Sequence, residues 1–402
     1  MDFGFSLDQQ SFRARARSWI GANMDERFRA AGLGQLFHGE DVEAQREWAR
    51  RVYRAGYSGI SWPREYGGQG LTAVERLIWN EELGRAVAPE GVNVAGTDLA
   101  GPLLLELGTE EQKQLYIPSI ISAEHVWCQG FSEPESGSDL ASLRTKAVRD
   151  GDDWIITGEK IWTSYAHVAN WCLLLARTDR NAPAYRGITA FILPMTASGL
   201  SIRPLRQMTQ REEFNSLFLD AVRVPGRNVI GEVNGGWRAS TETLATERAL
   251  TRLYRQARFL SELKAIADHL QRRTQDLPSA QVGYFSRKLT EHFSDLYILR
   301  LHNIKVAKMV AAGAQIGVES SLMKLHWSEV HQDIAELAIE ILGKDAVAAL
   351  DDGGMGRRFL NVYLQSRAET IYAGTSQIQR NIIAERLLGL PREQHAQKVA
   401  QP

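Results

Sequence analysis

Ser132 and Ser138 place two hydroxyl donors in a loop shaped by Pro134 and Gly137, within Phe131-Ser132-Glu133-Pro134-Glu135-Ser136-Gly137-Ser138-Asp139. Hydroxyls so placed can hydrogen-bond the edge of a polar ring. Gly137-Ser138-Asp139 adds backbone N–H groups at a predicted helix start, where an anionic group is favoured. The same loop reads equally well as an N-cap and nothing more. Trp162-Thr163-Ser164 closes a predicted strand. A tryptophan there either walls one face of a planar ligand or is a core aromatic of a β domain.

These residues need elements to position them. Residues 1–122 read as helical: 13–20, 41–55 and 73–83 carry apolar residues at helical spacing. Ser61-Trp62-Pro63-Arg64-Glu65-Tyr66-Gly67-Gly68-Gln69-Gly70 is a punctuated loop. From 123 to 235 the pattern becomes short apolar or β-branched runs at 154–157, 171–176, 188–193 and 214–219, separated by Gly, Asp, Asn and Pro, which predicts a small β domain. Residues 236–402 read as helical again, with helices expected over 237–273, 282–314, 316–328 and 330–342 and a break at Gly354 to Gly356. No Gly-x-Gly-x-x-Gly opens a βαβ unit, which disfavours the dinucleotide fold.

Bulk properties narrow the class. The chain has 402 residues, 44% hydrophobic and 24% charged, with a net charge of -1, as in ordinary globular proteins of two or three domains. No basic block marks a nucleic-acid surface. No apolar run reaches the ~18–20 residues of a membrane span, and the first residues lack a secretory signal pattern. Two cysteines, Cys128 and Cys172, and nine histidines give neither a disulfide framework nor metal spacing. A reduced, cytoplasmic setting without a metal is expected.

The serine loop, Gly108-Thr109-Glu110-Glu111-Gln112-Lys113, Gly158-Glu159-Lys160-Ile161-Trp162, Val224-Pro225 with Asn228, Ile371-Tyr372-Ala373-Gly374-Thr375-Ser376-Gln377-Ile378-Gln379-Arg380 and the tail Ala384-Glu385-Arg386-Leu387-Leu388-Gly389-Leu390-Pro391-Arg392 follow in one order. That ordered set resembles the acyl-CoA dehydrogenase family over residues 5–392. The resemblance implies an α+β fold: an N-terminal helical domain, a middle β domain and a C-terminal helical bundle. It also implies FAD as cofactor and an acyl-CoA as substrate. A flavin that accepts hydride needs hydrogen bonds at its ring, a wall for the ring and partners for its pyrophosphate. By resemblance, Phe131 and Ser132 contact the pyrimidine edge, Ser164 lies near N5 and Trp162 packs on the ring. Gly137 and Ser138 belong to the same cofactor loop, Ser138 also reaching substrate. Thr375 and Gln377 reach the pyrophosphate region, and the Ala373 N–H helps polarise the thioester carbonyl.

The family removes the α-proton with a carboxylate, often directly before the Gly-Thr pair. Here that place is Ala373, which cannot take a proton. Isovaleryl- and long-chain-type members carry the base on another helix, just before an arginine, and Glu247 in Ala245-Thr246-Glu247-Arg248 matches that place. Without the resemblance, Glu247 reads as a solvated helix residue. Burial under bound acyl-CoA would raise its pKa. Arg248 positions or contacts substrate, because a guanidinium does not give up its proton.

Two family features are missing. The Arg-x-x-Phe-Gly element that reaches a neighbour's FAD is absent from His269-Leu270-Gln271-Arg272-Arg273-Thr274-Gln275-Asp276-Leu277-Pro278. Glu340 and Lys344 stand where relatives have Gln and Gly. The departures resemble the bacterial branch of heteromeric enzymes that act on steroid side-chain CoA thioesters. They leave open a homo-oligomer or an α2β2 heterotetramer with a second acyl-CoA dehydrogenase-like subunit, and a steroid side-chain or other bulky acyl group. An electron-transferring flavoprotein is the implied electron acceptor. Two alternatives remain at this stage: a stabilising subunit of a heteromer, and a member with divergent flavin chemistry such as a desulfinase or nitroalkane-oxidase-like protein, against which Glu247 argues.

Overall fold

The computed structural model describes residues 3–32, 42–89, 91–238, 240, 255–348 and 354–391. The described N-terminal helices are α1 (Leu7–Asn23), α2 (Glu26–Gly32), α3 (Val42–Arg54), α4 (Ala73–Ala86), α5 (Gly101–Leu107) and α6 (Glu110–Ile121). Their starts are written locally. Ser6 with Gln9, Thr72 with Glu75 and Thr109 with Gln112 form capping boxes, each satisfying two backbone N–H groups that the helix cannot.

The strands are β1 (Trp127–Gly130), β2 (Lys146–Asp150), β3 (Asp153–Ser164), β4 (Trp171–Arg177), β5 (Ile188–Pro194), β6 (Leu200–Leu205), β7 (Phe214–Pro225) and β8 (Val229–Ile230). They form one sheet in the order β6-β7-β3-β2-β4-β5-β8, with β1 parallel to β4. Strand alternation divides β4 between two cores. Leu173 and Leu175 pack with α5 and α6, alongside Leu104, Tyr116 and Ile120. Cys172, Leu174 and Ala176 face the opposite side, with Ile156, Phe191 and Val222. Gln112 bolts α6 to the sheet by donating to the carbonyls of Arg227 and Val229, both at 2.8 Å, and Asn228 donates to the Ile192 carbonyl at 2.8 Å.

The C-terminal helices are α7 (Arg255–Arg272), α8 (Ser279–Ala311), α9 (Glu319–Leu342), the short α10 (Asp345–Ala348), α11 (Met355–Glu369) and α12 (Ser376–Arg386). They share a core that includes Phe259, Leu296, Ile334 and Phe359. Ile304, Val306 and Ala307 of α8 join instead the core of α1, α3 and α4. The helical–β–helical architecture is the one expected.

Three local expectations change. The helices foreseen over 316–328 and 330–342 are one helix, α9. Ser328 interrupts the apolar pattern but is fully buried and returns its hydroxyl to the Leu325 carbonyl at 3.2 Å, so the helix continues. Gly356 lies buried inside α11, whose N-cap is Gly354. Gly137-Ser138-Asp139 opens no α-helix. Asp139 precedes only a 3-10 turn, Leu140–Ser142, too short to sum peptide dipoles into an anion site. Gly137 and Ser138 are exposed loop residues.

Candidate active site

The serine loop and the end of β3 form one cluster. Ile161 donates its N–H to the Ser132 carbonyl at 2.9 Å, fixing the loop against the strand. Behind the loop lies a buried ion pair. Lys160 Nζ is 2.8 Å from Glu133 Oε1 and donates to the Phe131 carbonyl at 3.1 Å. Glu133 also accepts from the N–H groups of Arg144 (2.6 Å) and Thr145 (2.8 Å). Burial would raise the Glu133 pKa, but Lys160 and these donors outweigh it and lower it. Burial lowers the Lys160 pKa, with Glu133 opposing. The geometry supplies what a buried ion pair needs: partners for most of its oxygens and protons. Phe131 is buried above it, and Ser132 is half-buried.

Trp162 lies where the β3–β7 register slips between Lys160 and Thr163. Its φ is +59°, a left-handed conformation that costs a non-glycine residue energy, and Tyr165 repeats it at +57°. The bulge turns the indole outward: Trp162 is 57% exposed, in edge contact with Phe214 at 5.9 Å. It is therefore not a core aromatic. A strained backbone presenting a large apolar ring to solvent, on the strand end that also carries Ser164 and is bonded to the Ser132 loop, fits a flat apolar ligand with a polar edge.

The second cluster is the turn between α11 and α12. Ala373 has φ +53° and Gly374 φ +89°. Gln379, fully buried, donates to the carbonyls of both, at 2.9 and 3.3 Å. The positive φ of Gly374 favours glycine, and a Cβ there would crowd the Gln379 amide out of its bonds to the turn. Thr375 is the N-cap of α12, accepting from the Ile378 N–H at 3.2 Å. That leaves its hydroxyl proton available to a ligand. Gln377 is exposed on the first turn of α12 and Ala373 is half-buried. Below the turn, Arg255 donates to the Tyr372 hydroxyl at 3.2 Å and lies 3.6 Å over the Trp327 ring. Glu247 and Arg248 lie outside the described residues. Glu340 and Lys344 are exposed at the end of α9.

A cavity of about 190 Å³ opens between the N-terminal helices and α7, walled by Trp48, Trp62, Trp79, Val94 and Thr97, with Arg258 at its rim. Among the described residues, no group of three or more His, Cys, Asp or Glu side chains is placed to hold a metal ion, and no helix is long and apolar enough to cross a membrane.

Sequence reading missed Glu133 and Lys160 as a pair, and the buried charges around Tyr372. Lys160 stood inside a recognised motif, but its partner comes 27 residues earlier.

Three family descriptions match successive parts of the chain: acyl-CoA dehydrogenase N-terminal domain at 6–124, middle domain at 128–222 and C-terminal domain at 234–388. The chain belongs to the acyl-CoA dehydrogenase family. Its chemistry is that of FAD-dependent oxidoreductases acting on acyl-CoA thioesters. It is 38% identical to acyl-CoA dehydrogenase IpdE1 of Mycobacterium tuberculosis over 388 residues, 96% of this chain and 99% of that protein. It superposes with a TM-score of 0.84 and 31% identity on the Tcur3481-Tcur3483 steroid acyl-CoA dehydrogenase, covering 98% of this chain and 100% of that one. With the ChsE4-ChsE5 complex of M. tuberculosis the TM-score is 0.82 at 29% identity, covering 98% and 100%. As an acyl-CoA dehydrogenase, the chain is thus similar to a steroid acyl-CoA dehydrogenase and to a component of a two-protein complex.

Proposed function

We propose that this acyl-CoA dehydrogenase binds FAD against Trp162 and converts an acyl-CoA to the trans-2-enoyl-CoA with Glu247 as its base. The outward, strained Trp162, on the strand end bonded to the Ser132 loop, is the observation that carries the reading. When bound, FAD supplies the two-electron acceptor that takes the β-hydrogen as hydride. Ser132 and Ser164 would donate to the ring, Phe131 would back it, and Gly137 would belong to the same cofactor loop. Ser138, Ala373 and Arg248 face the thioester, the Ala373 N–H donating to its carbonyl oxygen and acidifying the α-carbon. Thr375 and Gln377 serve the pyrophosphate. Glu247 takes the α-proton, since alanine at 373 has no group to accept it.

The acyl group enters the cavity beside Thr97. Its similarity to a steroid acyl-CoA dehydrogenase favours a bulky, steroid-derived acyl chain, and an electron-transferring flavoprotein would receive the electrons. A partner subunit is supported by Tyr284, Phe293, Tyr297 and Ile298, large apolar side chains exposed on α8. Glu340 and Lys344, with no Arg-x-x-Phe-Gly element, favour an unlike partner in an α2β2 assembly. The same departures favour a second reading, a subunit that stabilises an active partner. Flavin absorbance under anaerobic titration with short, long and steroid-side-chain acyl-CoAs separates the two. Bleaching by one class supports dehydrogenation here; flavin that no class bleaches supports the second reading.

A further inference from the structure

The reading above leaves unused a set of buried charges beneath the 370–375 turn. His331 of α9 is fully buried. Its Nδ1 lies 2.6 Å from Glu369 Oε2 on α11, and its Nε2 lies 3.0 Å from Glu262 Oε2 on α7. A neutral imidazole has one donor and one acceptor nitrogen, so a ring with carboxylates on both sides holds two protons. Phe259 stacks on it at 3.8 Å and 7°, which fixes the ring plane.

Glu369 is the last residue of α11, and the turn grows directly from it. The N–H groups of Ile371 and Tyr372 both bond to the Ala368 carbonyl, at 2.9 and 3.0 Å. Gln332, next to His331, donates to Thr370 Oγ1 at 3.2 Å. Glu369 also lies 3.8 Å from Arg255, which holds the Tyr372 hydroxyl. The carboxylate that His331 grips thus sets where the chain enters the turn. α7, which supplies Glu262, is described from Arg255 on, a few residues after Glu247 in the sequence.

We propose that His331 is a positioning residue: clamped as an imidazolium between Glu262 and Glu369, it ties α7 to the end of α11 and fixes the Tyr372–Ala373–Gly374 turn. The inference rests on the site reading only in giving the Ala373 N–H a substrate to meet. The clamp acts through Glu369 and touches no substrate.

The clamp is titratable. Burial alone would lower the His331 pKa, but Glu369 and Glu262 outweigh it and raise it to about 9. The neighbouring charges are Arg255 on α7, 3.8 Å from Glu369, Arg258 on α7, 3.9 Å from Glu262, and Arg358 on α11, which also acts on Glu262. On α8, His292 faces Asp295 and Asp333 instead. Arg380 of α12 pairs with Glu329, and Asp345 of α10 with Arg273.

The test is hydrogen exchange of the full chain from pH 6 to 10, corrected for intrinsic rates and read in peptides covering 368–376 and 214–225. Wild type, Glu262→Gln and His331→Gln are compared. The expected result is protection of the Ile371 and Tyr372 amides that falls as pH rises through about 9. Glu262→Gln keeps the side-chain shape but removes one carboxylate, so the fall moves about 1–3 units lower. His331→Gln lowers protection of the turn without a pH step, and β7 is unchanged in every case. If His331→Gln does not fold, the displaced fall in Glu262→Gln still decides. A turn whose protection is flat to pH 10 overturns the proposal. So does an unmoved fall in Glu262→Gln, or loss of protection in β7 together with the turn. The experiment needs neither flavin nor substrate, so its failure is distinct from failure of the dehydrogenase reading.

Discussion

The β-domain loop and the 370–375 turn solve the same problem with different chemistry. Each holds a non-glycine residue in the left-handed region, Trp162 at +59° and Ala373 at +53°, and each is braced from below by a buried carboxylate. In the β domain the brace is Glu133 with a lysine and two backbone N–H groups. In the helical domain it is Glu369 with a histidine. A lysine-and-amide brace weakens in acid, where its carboxylate takes a proton. A histidine brace weakens in base. The comparison teaches that the carboxylate under the Trp162 loop loses its charge in acid, whereas the histidine under the 370–375 turn loses its charge in base.

The largest effect that sharpens this contrast is expected from Lys160→Met. It leaves Glu133 charged and buried with only its backbone donors, at a cost of about 3–5 kcal/mol. Urea denaturation should show that loss together with loss of bound FAD. A midpoint unchanged from wild type would mean that the pair is not what braces the loop. Gly374→Ala should cost about 1–3 kcal/mol, from its positive φ and the contact with Gln379. Ala373→Gly should instead stabilise, by up to about 1 kcal/mol, by relieving the same kind of strain.

The pH signs follow from the shifts. Glu133 has a lowered folded pKa, so its contribution is present above the unfolded value of 4.5 and is lost as pH falls through the folded one. The cost carried by the depressed Lys160 is constant across that acid window. His331 has a raised folded pKa, so its contribution is complete below 6.5 and is lost as pH rises through about 9. Thermal midpoints of wild type against His331→Gln should therefore converge as pH rises from 6.5 to about 9. Parallel curves there would break the contrast. The smallest effect on stability is Trp162→Ala, under about 0.5 kcal/mol because the ring is exposed. Its FAD affinity should still drop about 2–10-fold, the worth of one aromatic stack. An FAD titration that leaves affinity unchanged would remove Trp162 from the ring wall.

The architecture was legible because apolar periodicity reports which face is buried. Strand β6 escaped: its burial alternates weakly at the sheet edge, and β1 is only four residues long. The Ser132, Trp162 and Thr375 positions were legible as motif members. The outward pose of Trp162 was not, because a bulge is a relation between two strands. The braces were invisible for the same reason. His331 meets partners 38 and 69 residues away, and no local pattern encodes a pairing at that range.

The central claim is that this chain dehydrogenates acyl-CoA with Glu247 in place of a base at 373. The most direct measurement is the anaerobic rate of flavin bleaching by the best acyl-CoA, in wild type and Glu247→Gln with equal bound FAD. The account predicts a fall of about 10²–10⁴-fold with flavin content unchanged. Bleaching at the wild-type rate in Glu247→Gln would contradict it.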